Sequence, residues 1–352
     1  MTSFEQLGLS VPLVQAPMAG VSTPALAAAV CNAGALGSIA VGAGTAEQAA
    51  IQIEQVRALT ARPFNVNLFV HQTPQPDAAR EQGWLDSLAP LFHEFGAEPP
   101  RSLRAIYTSF RDDPDMLALL LHARPALVSF HFGLPPAGTI AALRAEGILL
   151  AATATSLAEA RTIEGAGIDV IVAQGIEAGG HRGLFDPAAD DDALGCLPLT
   201  RLLTRTCGCP VIAAGGIMDG AGIAAALDLG AVAAQLGTAF IACPESSADA
   251  AYRALLDSPA AQHTVMTRLI SGRPARSLPN RFTALNRQFE NQILPDYPIS
   301  YDAGKALNAA AKAKGEHGFG AQWAGQGAPL ARSMPAARLV ETLMAELRAC
   351  RD

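Results

Sequence analysis

Three glycine-rich turns in the second half of the chain carry residue types that can bind an anion. The turns are GIEAGGHRG (175–183), AAGGIMDG (213–220) and QLGTAF (235–240). Glycine lets backbone N–H groups approach a phosphate closely, and the hydroxyl of Thr238 adds another donor. Each turn alone could be only a tight turn, but glycine turns after consecutive strands favour a phosphate-binding site.

His181 lies in the first of these turns, between glycines and outside any apolar helical pattern. A histidine in a loop just past a strand end is placed for acid or base chemistry near neutral pH. We therefore predict that His181 is catalytic. His71 and His131 also lie just past strand ends and could line the same site. The remaining histidines are interpreted as solvated or packed: His93, His122, His263 and His317.

Four amide side chains lie at or just past the ends of apolar runs. One buried amide could be a satisfied core residue, but four suggest hydrogen bonds to a flat heteroaromatic ligand with mixed donors and acceptors. Isoalloxazine is such a ligand, and its phosphate tail would reach the glycine turns. FMN is therefore the predicted cofactor. The four amides are Gln15, Asn67, Gln174 and Gln235.

The elements that must position these residues alternate between short apolar runs and Ala/Leu-rich helical runs. The predicted strands are 13–16, 36–40, 64–68, 127–130, 148–152, 170–173, 211–214 and 231–236. Continuous apolar strands separated by helices are typical of a parallel sheet. Eight of them predict an α/β fold, a (β/α)8 TIM barrel, whose usual size is about 250 residues. A doubly wound open sheet is the alternative, but the first turn, APMAGVSTP, lacks its GxGxxG fingerprint.

Two long stretches, 70–124 and 243–319, do not fit units of one strand and one helix. Excursions of this length usually form lids or small added domains. We predict an FMN-binding barrel over 1–242, with the excursion 70–124 over the active site. An added, mainly helical, substrate-side domain is predicted over 243–319. The segment 320–352 is predicted to return to the barrel.

Composition excludes several classes of protein. Of the 352 residues, 50% are hydrophobic and 16% charged, which argues against a disordered chain. The net charge of −7 argues against a general nucleic-acid binder, and Gly, Pro or polar groups interrupt every long apolar stretch. The six cysteines lack CxxC pairs and there is no HExxH, so no metal is expected. The start, MTSFEQLGLS, does not read as a secretory signal, so a cytoplasmic location is expected.

Five segments in order resemble the nitronate monooxygenase family, formerly called 2-nitropropane dioxygenases, and its class I members in particular. They are VQAPMAGVSTPALAAAVCNAGALGSI, PFNVNLFV, GIEAGGHRG, AAGGIMDG and QLGTAFIACPES, and the likeness continues to WAGQGAPLA (323–331). The resemblance implies an FMN-dependent barrel enzyme that oxidises alkyl nitronates with O2 to a carbonyl compound and nitrite. Propionate 3-nitronate is the natural candidate substrate that the family suggests.

The resemblance also implies roles for individual residues. His181 matches the family's active-site histidine, which acts as a base towards neutral nitroalkanes or orients the anionic nitronate. The implied cofactor-binding residues are Ala16, Pro17, Met18, Asn67, Gln174, Gly179, Gly180, Gly215, Gly216, Gln235, Gly237 and Thr238. The expected substrate-binding residues are Tyr107, Tyr297, Tyr301 and Lys305, together with His131 from its strand-end position.

Two other functions are compatible with the same scaffold. An FMN-dependent NAD(P)H reductase of quinones or enoyl thioesters is the main alternative, but the histidine loop, Tyr301 and Lys305 favour the monooxygenase. A non-enzymatic flavin-binding protein would hold FMN without being reduced by any small donor. The expected partners are a nitronate and O2, without nucleic acid or membrane, for a monomer or a homodimer. Arg182 could contact a second substrate carboxylate, or it could simply be solvated.

Overall fold

The computed structural model describes residues 4–351, so the predicted domain limits at residues 1 and 352 lie outside it. The strands in chain order are β1 (Leu13–Gln15), β2 (Gly37–Ala40), β3 (Phe64–Phe69), β4 (Leu127–His131), β5 (Leu149–Ala154), β6 (Val170–Gln174), β7 (Gly180–His181), β8 (Val211–Ala214), β9 (Ala233–Leu236), β10 (Val265–Thr267) and β11 (Ala275–Ser277). The helices are α1 (Pro24–Asn32), α2 (Ala46–Leu59), α3 (Ala78–Glu94), α4 (Pro114–Ala123), α5 (Ala137–Ala145), α6 (Leu157–Gly165), α7 (Cys196–Thr206), α8 (Gly220–Asp228), α9 (Thr238–Ile241), α10 (Ala250–Leu256), α11 (Ile299–Lys312) and α12 (Ala336–Ala349).

Eight parallel strands form a nearly closed barrel with helices between them. The strand order is β1-β9-β8-β6-β5-β4-β3-β2. The two end strands meet at one bridge, between Val14 and Leu36. There the Gln15 N–H donates to the Leu36 carbonyl at 2.9 Å, and the Leu36 N–H donates to the Leu13 carbonyl at 3.0 Å. The predicted TIM barrel is confirmed.

The barrel strands are apolar throughout because both of their faces are covered. All five residues of β6 are buried, one face against the barrel interior and the other against helices. The helices begin at side-chain caps, as where Thr23 accepts the Leu26 N–H before α1, and Thr45 forms a capping box with Gln48 before α2. These local signals explain why strand and helix alternate along the chain.

The last helix, α12, covers the outside of the barrel. It packs against α8 and α1, and it buries Leu339, Leu343 and Leu347 in the same apolar cluster as these helices. The contact with α8 is close, because a Cβ built on Gly220 would stand 2.3 Å from the Leu347 nitrogen. Within residues 4–351 no helix combines the length and the hydropathy that crossing a membrane requires.

The two excursions share one apolar core. Helix α3, from the first, packs against α11, from the second, and their cluster includes Trp84, Phe92, Phe282 and Leu307. The second excursion also contains β10 and β11, which the prediction of a mainly helical segment did not include. With β7 they form an antiparallel sheet of order β10-β11-β7. This sheet ties the His181 loop to the second excursion.

Candidate active site

A cavity of about 600 Å³ opens at the carboxyl ends of the barrel strands, beneath the two excursions. Its volume lies in the range of small-molecule sites. The predicted site residues that line it are Ala16, Pro17, Met18, Asn67, Tyr107, His131, Gln174, Gly179, Gly180, His181, Gly215, Gln235, Gly237, Thr238, Tyr297, Tyr301 and Lys305. Gly216, a predicted cofactor-binding residue, does not line the cavity. It lies against Glu177, since a Cβ built on Gly216 would stand 3.2 Å from the Glu177 Cβ.

Strand β7 brings His181 into this cavity. It pairs with Ala275 across the small antiparallel sheet. The His181 Nε2 lies 2.8 Å from the Ser271 hydroxyl, while Nδ1 has no hydrogen-bond partner within residues 4–351. Three aromatic rings surround the imidazole at centroid distances of 5.2 to 5.5 Å: Phe132, Tyr297 and Trp323. The ring is therefore held in place while one nitrogen stays available to a ligand.

The environment of His181 keeps its imidazole neutral. Burial removes the hydration that an imidazolium needs, and the neighbouring His131, Arg273 and His71 disfavour a further positive charge. Together they hold the pKa of His181 well below its ordinary 6.5. At neutral pH this ring can therefore donate one proton in a hydrogen bond or accept one, but it carries no charge.

His131 lines the cavity, yet both of its ring nitrogens are occupied. The His181 carbonyl can only accept, so the His131 Nε2 at 3.2 Å must donate to it. Nδ1 then accepts from the Thr153 hydroxyl at 3.1 Å. Burial lowers the pKa of His131 to about 4, which agrees with this neutral tautomer. The predicted substrate contact of His131 therefore has no ring nitrogen to use.

The amide side chains divide into two groups. Gln174 is engaged by the His181 loop, donating to the His181 carbonyl at 3.0 Å and accepting the Gly183 N–H at 2.7 Å. The amide nitrogen of Asn67 donates to Ser129, while its oxygen has no partner in the described part of the chain. The amide of Gln235 is equally unengaged by residues 4–351. Asn67 thus presents an amide oxygen to a ligand, and Gln235 presents its whole amide group.

The prediction was wrong for Gln15, which is fully buried away from the cavity. Its amide oxygen accepts the Ser38 N–H at 2.8 Å, and its nitrogen donates to the Ser22 hydroxyl at 2.9 Å. His71 also lies outside the lining, packed edge-on against Tyr297 at 5.0 Å. Both residues support the walls of the site from behind.

The glycine turns expose backbone on one wall of the cavity. Gly179 is required by packing, because a Cβ there would stand 2.5 Å from the Gly325 nitrogen. Gly237 is different, since a Cβ would only touch Ala16 at an ordinary 3.4 Å. Glycine at 237 is therefore not needed to avoid a clash, but it leaves the backbone there accessible from the cavity. The Thr238 hydroxyl accepts the Gly325 N–H at 2.9 Å, which leaves its own proton free for an anion.

Another part of the cavity lining is aromatic and cationic. Tyr107, Tyr297 and Tyr301 come from the two excursions, and the Lys305 ammonium lies 4.9 Å and 5.3 Å from the ring centroids of Tyr107 and Tyr301. Among residues 4–351 no carboxylate pairs with Lys305. Aromatic faces stabilise a cation without neutralising it. Lys305 thus keeps its charge available for an anionic ligand.

Sequence reasoning missed three residues around His181. Ser271 bonds its ring, and Trp323 packs on it. The Arg273 guanidinium lies 4.2 Å from the Phe132 centroid, is 2% exposed and has no carboxylate partner in the described chain. Burial lowers the pKa of Arg273 to about 10, so it stays cationic at neutral pH. Other lining residues without a predicted role include Phe69, Ser129, Tyr252, Asn308, Lys312 and His317.

Comparison with known proteins places this architecture in a family. The family model described as nitronate monooxygenase matches residues 3–346. The chain belongs to the nitronate monooxygenase family. It is 63% identical over 342 residues to the nitronate monooxygenase of Paraburkholderia phytofirmans, covering 97% of this chain and 93% of that protein. It is 59% identical to that of Pseudomonas aeruginosa PAO1, covering 97% of both. This family member is accordingly an enzyme, an oxidoreductase.

Solved structures agree with this membership. The nitroalkane oxidase from Streptomyces ansochromogenes superposes with a TM-score of 0.89 at 42% identity, covering 99% of both chains. FabK from Thermotoga maritima gives a TM-score of 0.76 at 28% identity, covering 100% of this chain and 97% of that one. The barrel and the excursions of this nitronate monooxygenase family member therefore follow a shared plan.

In this nitronate monooxygenase family member, Arg182 does not reach the cavity. Its guanidinium is 2% exposed, pairs with Asp191 at 2.8 and 2.9 Å, and donates to the Gln174 carbonyl. The expectation that Arg182 could contact a second substrate carboxylate was wrong. Because Arg182 directly follows His181, this ion pair holds the loop from outside the cavity.

Proposed function

We propose that the protein oxidises alkyl nitronates with O2, using FMN, to a carbonyl compound and nitrite, and that propionate 3-nitronate is a substrate. The observation that carries the proposal is that one cavity is lined by both a neutral His181 and the Lys305 ammonium, which pairs with no carboxylate among residues 4–351. A nitronate needs a cation and a hydrogen-bonding group for its charged oxygens. Membership of the nitronate monooxygenase family supports the same reaction.

The residues that would hold FMN fit its chemical parts. The backbone at Gly179 and Gly237, together with the Thr238 hydroxyl, offers donors to a phosphate. The Asn67 amide oxygen and the Gln235 amide group suit the mixed donors and acceptors of isoalloxazine. The lining segment that directly follows β1 would form the wall against the ring: Ala16, Pro17 and Met18. When bound, FMN would supply the electron transfer between nitronate and O2.

The chain's own contribution is to bind and orient the anionic substrate. Lys305 attracts the charged oxygens, and buried Arg273 adds positive potential behind Phe132. This local charge opposes the protein's net charge of −7, which would otherwise repel an anion. Lys305 itself is exposed, and the faces of Tyr107 and Tyr301 stabilise its ammonium without neutralising it.

Anaerobic mixing tests this function against the reductase alternative. Purified yellow protein is mixed in separate experiments with propionate 3-nitronate and with NADH, and the visible flavin absorbance is followed. The proposal expects bleaching by the nitronate, and nitrite once O2 is admitted. Rapid bleaching by NADH without any response to nitronate would contradict the proposal and identify the protein as a reductase. Release of a flavin other than FMN on denaturation would correct the cofactor alone.

A further inference from the structure

The Ser271 hydroxyl is the direct partner of the His181 ring. Its oxygen lies 2.8 Å from Nε2, 3.4 Å from the Arg273 carbonyl oxygen and 3.4 Å from the Arg273 backbone nitrogen. A hydroxyl has a single proton to donate and two lone pairs to accept with. The Arg273 N–H can only donate, so the Ser271 oxygen accepts from it. The hydroxyl proton then has two possible acceptors, the Arg273 carbonyl and the His181 Nε2.

The distances favour Nε2 as the acceptor of the hydroxyl proton. A hydroxyl donor normally lies 2.5 to 3.0 Å from its acceptor, and the bond weakens steeply beyond that range. The contact with Nε2 falls inside the range, whereas the contact with the Arg273 carbonyl does not. Nε2 is the one acceptor within this range that the described residues offer the hydroxyl, so the arrangement that satisfies its proton places a lone pair on Nε2. In a neutral imidazole the ring proton then resides on Nδ1.

We propose that Ser271 is a positioning residue that holds His181 in the tautomer protonated on Nδ1, so that the ring presents an N–H donor to the ligand. This rests on the proposed function, because the group that the donor would meet is an anionic nitronate oxygen. A lone pair at the same place would repel that oxygen and would instead take a proton from a neutral nitroalkane. Ser271 thereby favours preformed nitronates over neutral nitroalkanes.

The turn that carries Ser271 is built to keep the hydroxyl in place. Gly272 has a φ of +90°, which favours glycine, and its N–H donates to the Arg268 carbonyl at 2.7 Å. A Cβ at Gly272 would stand 3.0 Å from the Pro295 carbonyl oxygen. Ser271 itself is 1% exposed, so water does not compete for Nε2. Donors from Gln174 and His131 fix the backbone of His181 at the other end.

Nitrogen-15 NMR of the histidine-labelled, flavin-loaded protein reads the tautomer directly. The His181 signals are assigned as those absent from His181→Phe. We expect at pH 7.5 a protonated Nδ1 and an unprotonated Nε2. Ser271→Ala should shift the population towards Nε2–H, whereas Ser246→Ala, which removes another buried hydroxyl with no contact to His181, should leave the signals unchanged. A wild-type His181 protonated on Nε2 would overturn the proposal.

Substrate preference gives a second, independent measurement. In Ser271→Ala the KM for propionate 3-nitronate should rise roughly tenfold or more, because the ring no longer donates to the anion. The ratio of kcat/KM for nitroethane to that for the nitronate should rise at least about tenfold. Ser271→Thr, which keeps the hydroxyl, should restore both values. If Ser271→Ala does not fold, Ser271→Cys replaces it in the same measurements, because a thiol of similar size is a weaker hydrogen-bond donor.

The outcomes separate this proposal from the proposed function. The tautomer is measured without turnover, so a wild-type protein that is protonated on Nδ1 but yields no nitrite would refute the nitronate reaction alone. Unchanged KM and unchanged substrate ratio in both Ser271→Ala and Ser271→Cys would refute the role of Ser271, even where the wild type makes nitrite.

Discussion

Basic side chains gather around the reactive end of the cavity, and most of them are uncharged. Burial lowers the pKa values of His71 and His131 to about 4, and that of His181 falls well below 6.5. Arg273 stays cationic and disfavours protonation of all three rings. The site thus keeps a fixed charge on Arg273 and Lys305 while its histidines act through hydrogen bonds.

This cluster makes stability depend on pH in a defined window. Above pH 6.5 the three rings are neutral in both folded and unfolded chains and contribute nothing. As the pH falls from 6.5 towards 4, these histidines bind protons in the unfolded chain but stay neutral in the folded chain. The free energy of unfolding therefore falls. Each ring contributes up to about 1.4 kcal/mol per pH unit. Urea unfolding between pH 7.5 and 4.5 measures the slope.

Two variants identify the source of that slope. His71→Phe removes one buried ring outside the cavity and should reduce the slope by about one third. His122→Gln removes an exposed ring that makes no hydrogen bond or ion pair within residues 4–351, and it should leave the slope unchanged. A slope that responds equally to both substitutions would contradict the assignment to buried histidines.

Removing the His181 imidazole should separate catalysis from cofactor binding. His181→Phe keeps a ring among Phe132, Tyr297 and Trp323 but offers no nitrogen to the substrate. Turnover of propionate 3-nitronate should fall about 10²-fold or more, with flavin content unchanged. Steady-state nitrite release and visible absorbance at equal protein concentration measure the two quantities. Wild-type turnover in this variant would remove His181 from the reaction.

At the scale of elements, close packing of helix on helix depends on single glycines. A Cβ at Gly220 would collide with the backbone and side chain of α12, at 2.3 Å from the Leu347 nitrogen and 2.4 Å from the Glu346 Cβ. Gly220→Ala should therefore push α12 from α8 and cost about 1–3 kcal/mol of unfolding free energy. Chemical denaturation provides the value.

The matched control is another helical glycine. Gly83 lies inside α3, and a Cβ there meets nothing within 4 Å. Gly83→Ala should stabilise the protein by about 0.5–1 kcal/mol, because alanine loses less backbone entropy in a helix. If the two alanine substitutions changed stability in the same direction, packing at Gly220 would not be the cause.

The sequence predicted the barrel elements because their signals are local. Apolar runs bounded by glycine and proline lie within two residues of the observed strands, as for Val211–Ala214. The small sheet left no such signal, since strands of two or three residues show no periodicity. Ser271 is 90 residues from His181, so only the folded chain reveals their contact. The prediction for Gln15 was wrong because an amide at a strand end can form hydrogen bonds within the core instead of with a ligand.

At the scale of the whole molecule, the core shared by the excursions supports the aromatic wall of the site. Trp84→Ala in α3 should cost about 3–5 kcal/mol, because the indole is fully buried against Phe289 and its neighbours. Loosening of α11 should also raise the KM for nitronate through Tyr301 and Lys305. Ile163→Ala, in the cluster under the barrel helices, should lower stability without changing KM. Equal effects on KM would contradict the support by α3.

The proposed domain limits, the cytoplasmic location and the choice between monomer and homodimer stay predictions at this scale. Sedimentation at several protein concentrations separates monomer from dimer. The packing of α3 on α11 argues for treating the two excursions as one cap when domains are cut for expression. A fragment limited to 243–319 would expose the face of α11 that α3 covers.

The narrow junction between β1 and β2 has a consequence for how the molecule fluctuates. One bridge joins these strands, whereas β3 and β4 pair over five residues. Local opening is cheapest where the fewest hydrogen bonds must break, so backbone amides of Gln15 and Leu36 should exchange with deuterium sooner than those of β5. The chain runs directly from β1 into Ala16, Pro17 and Met18. Local opening of the barrel and release of the proposed FMN should therefore begin at the same junction.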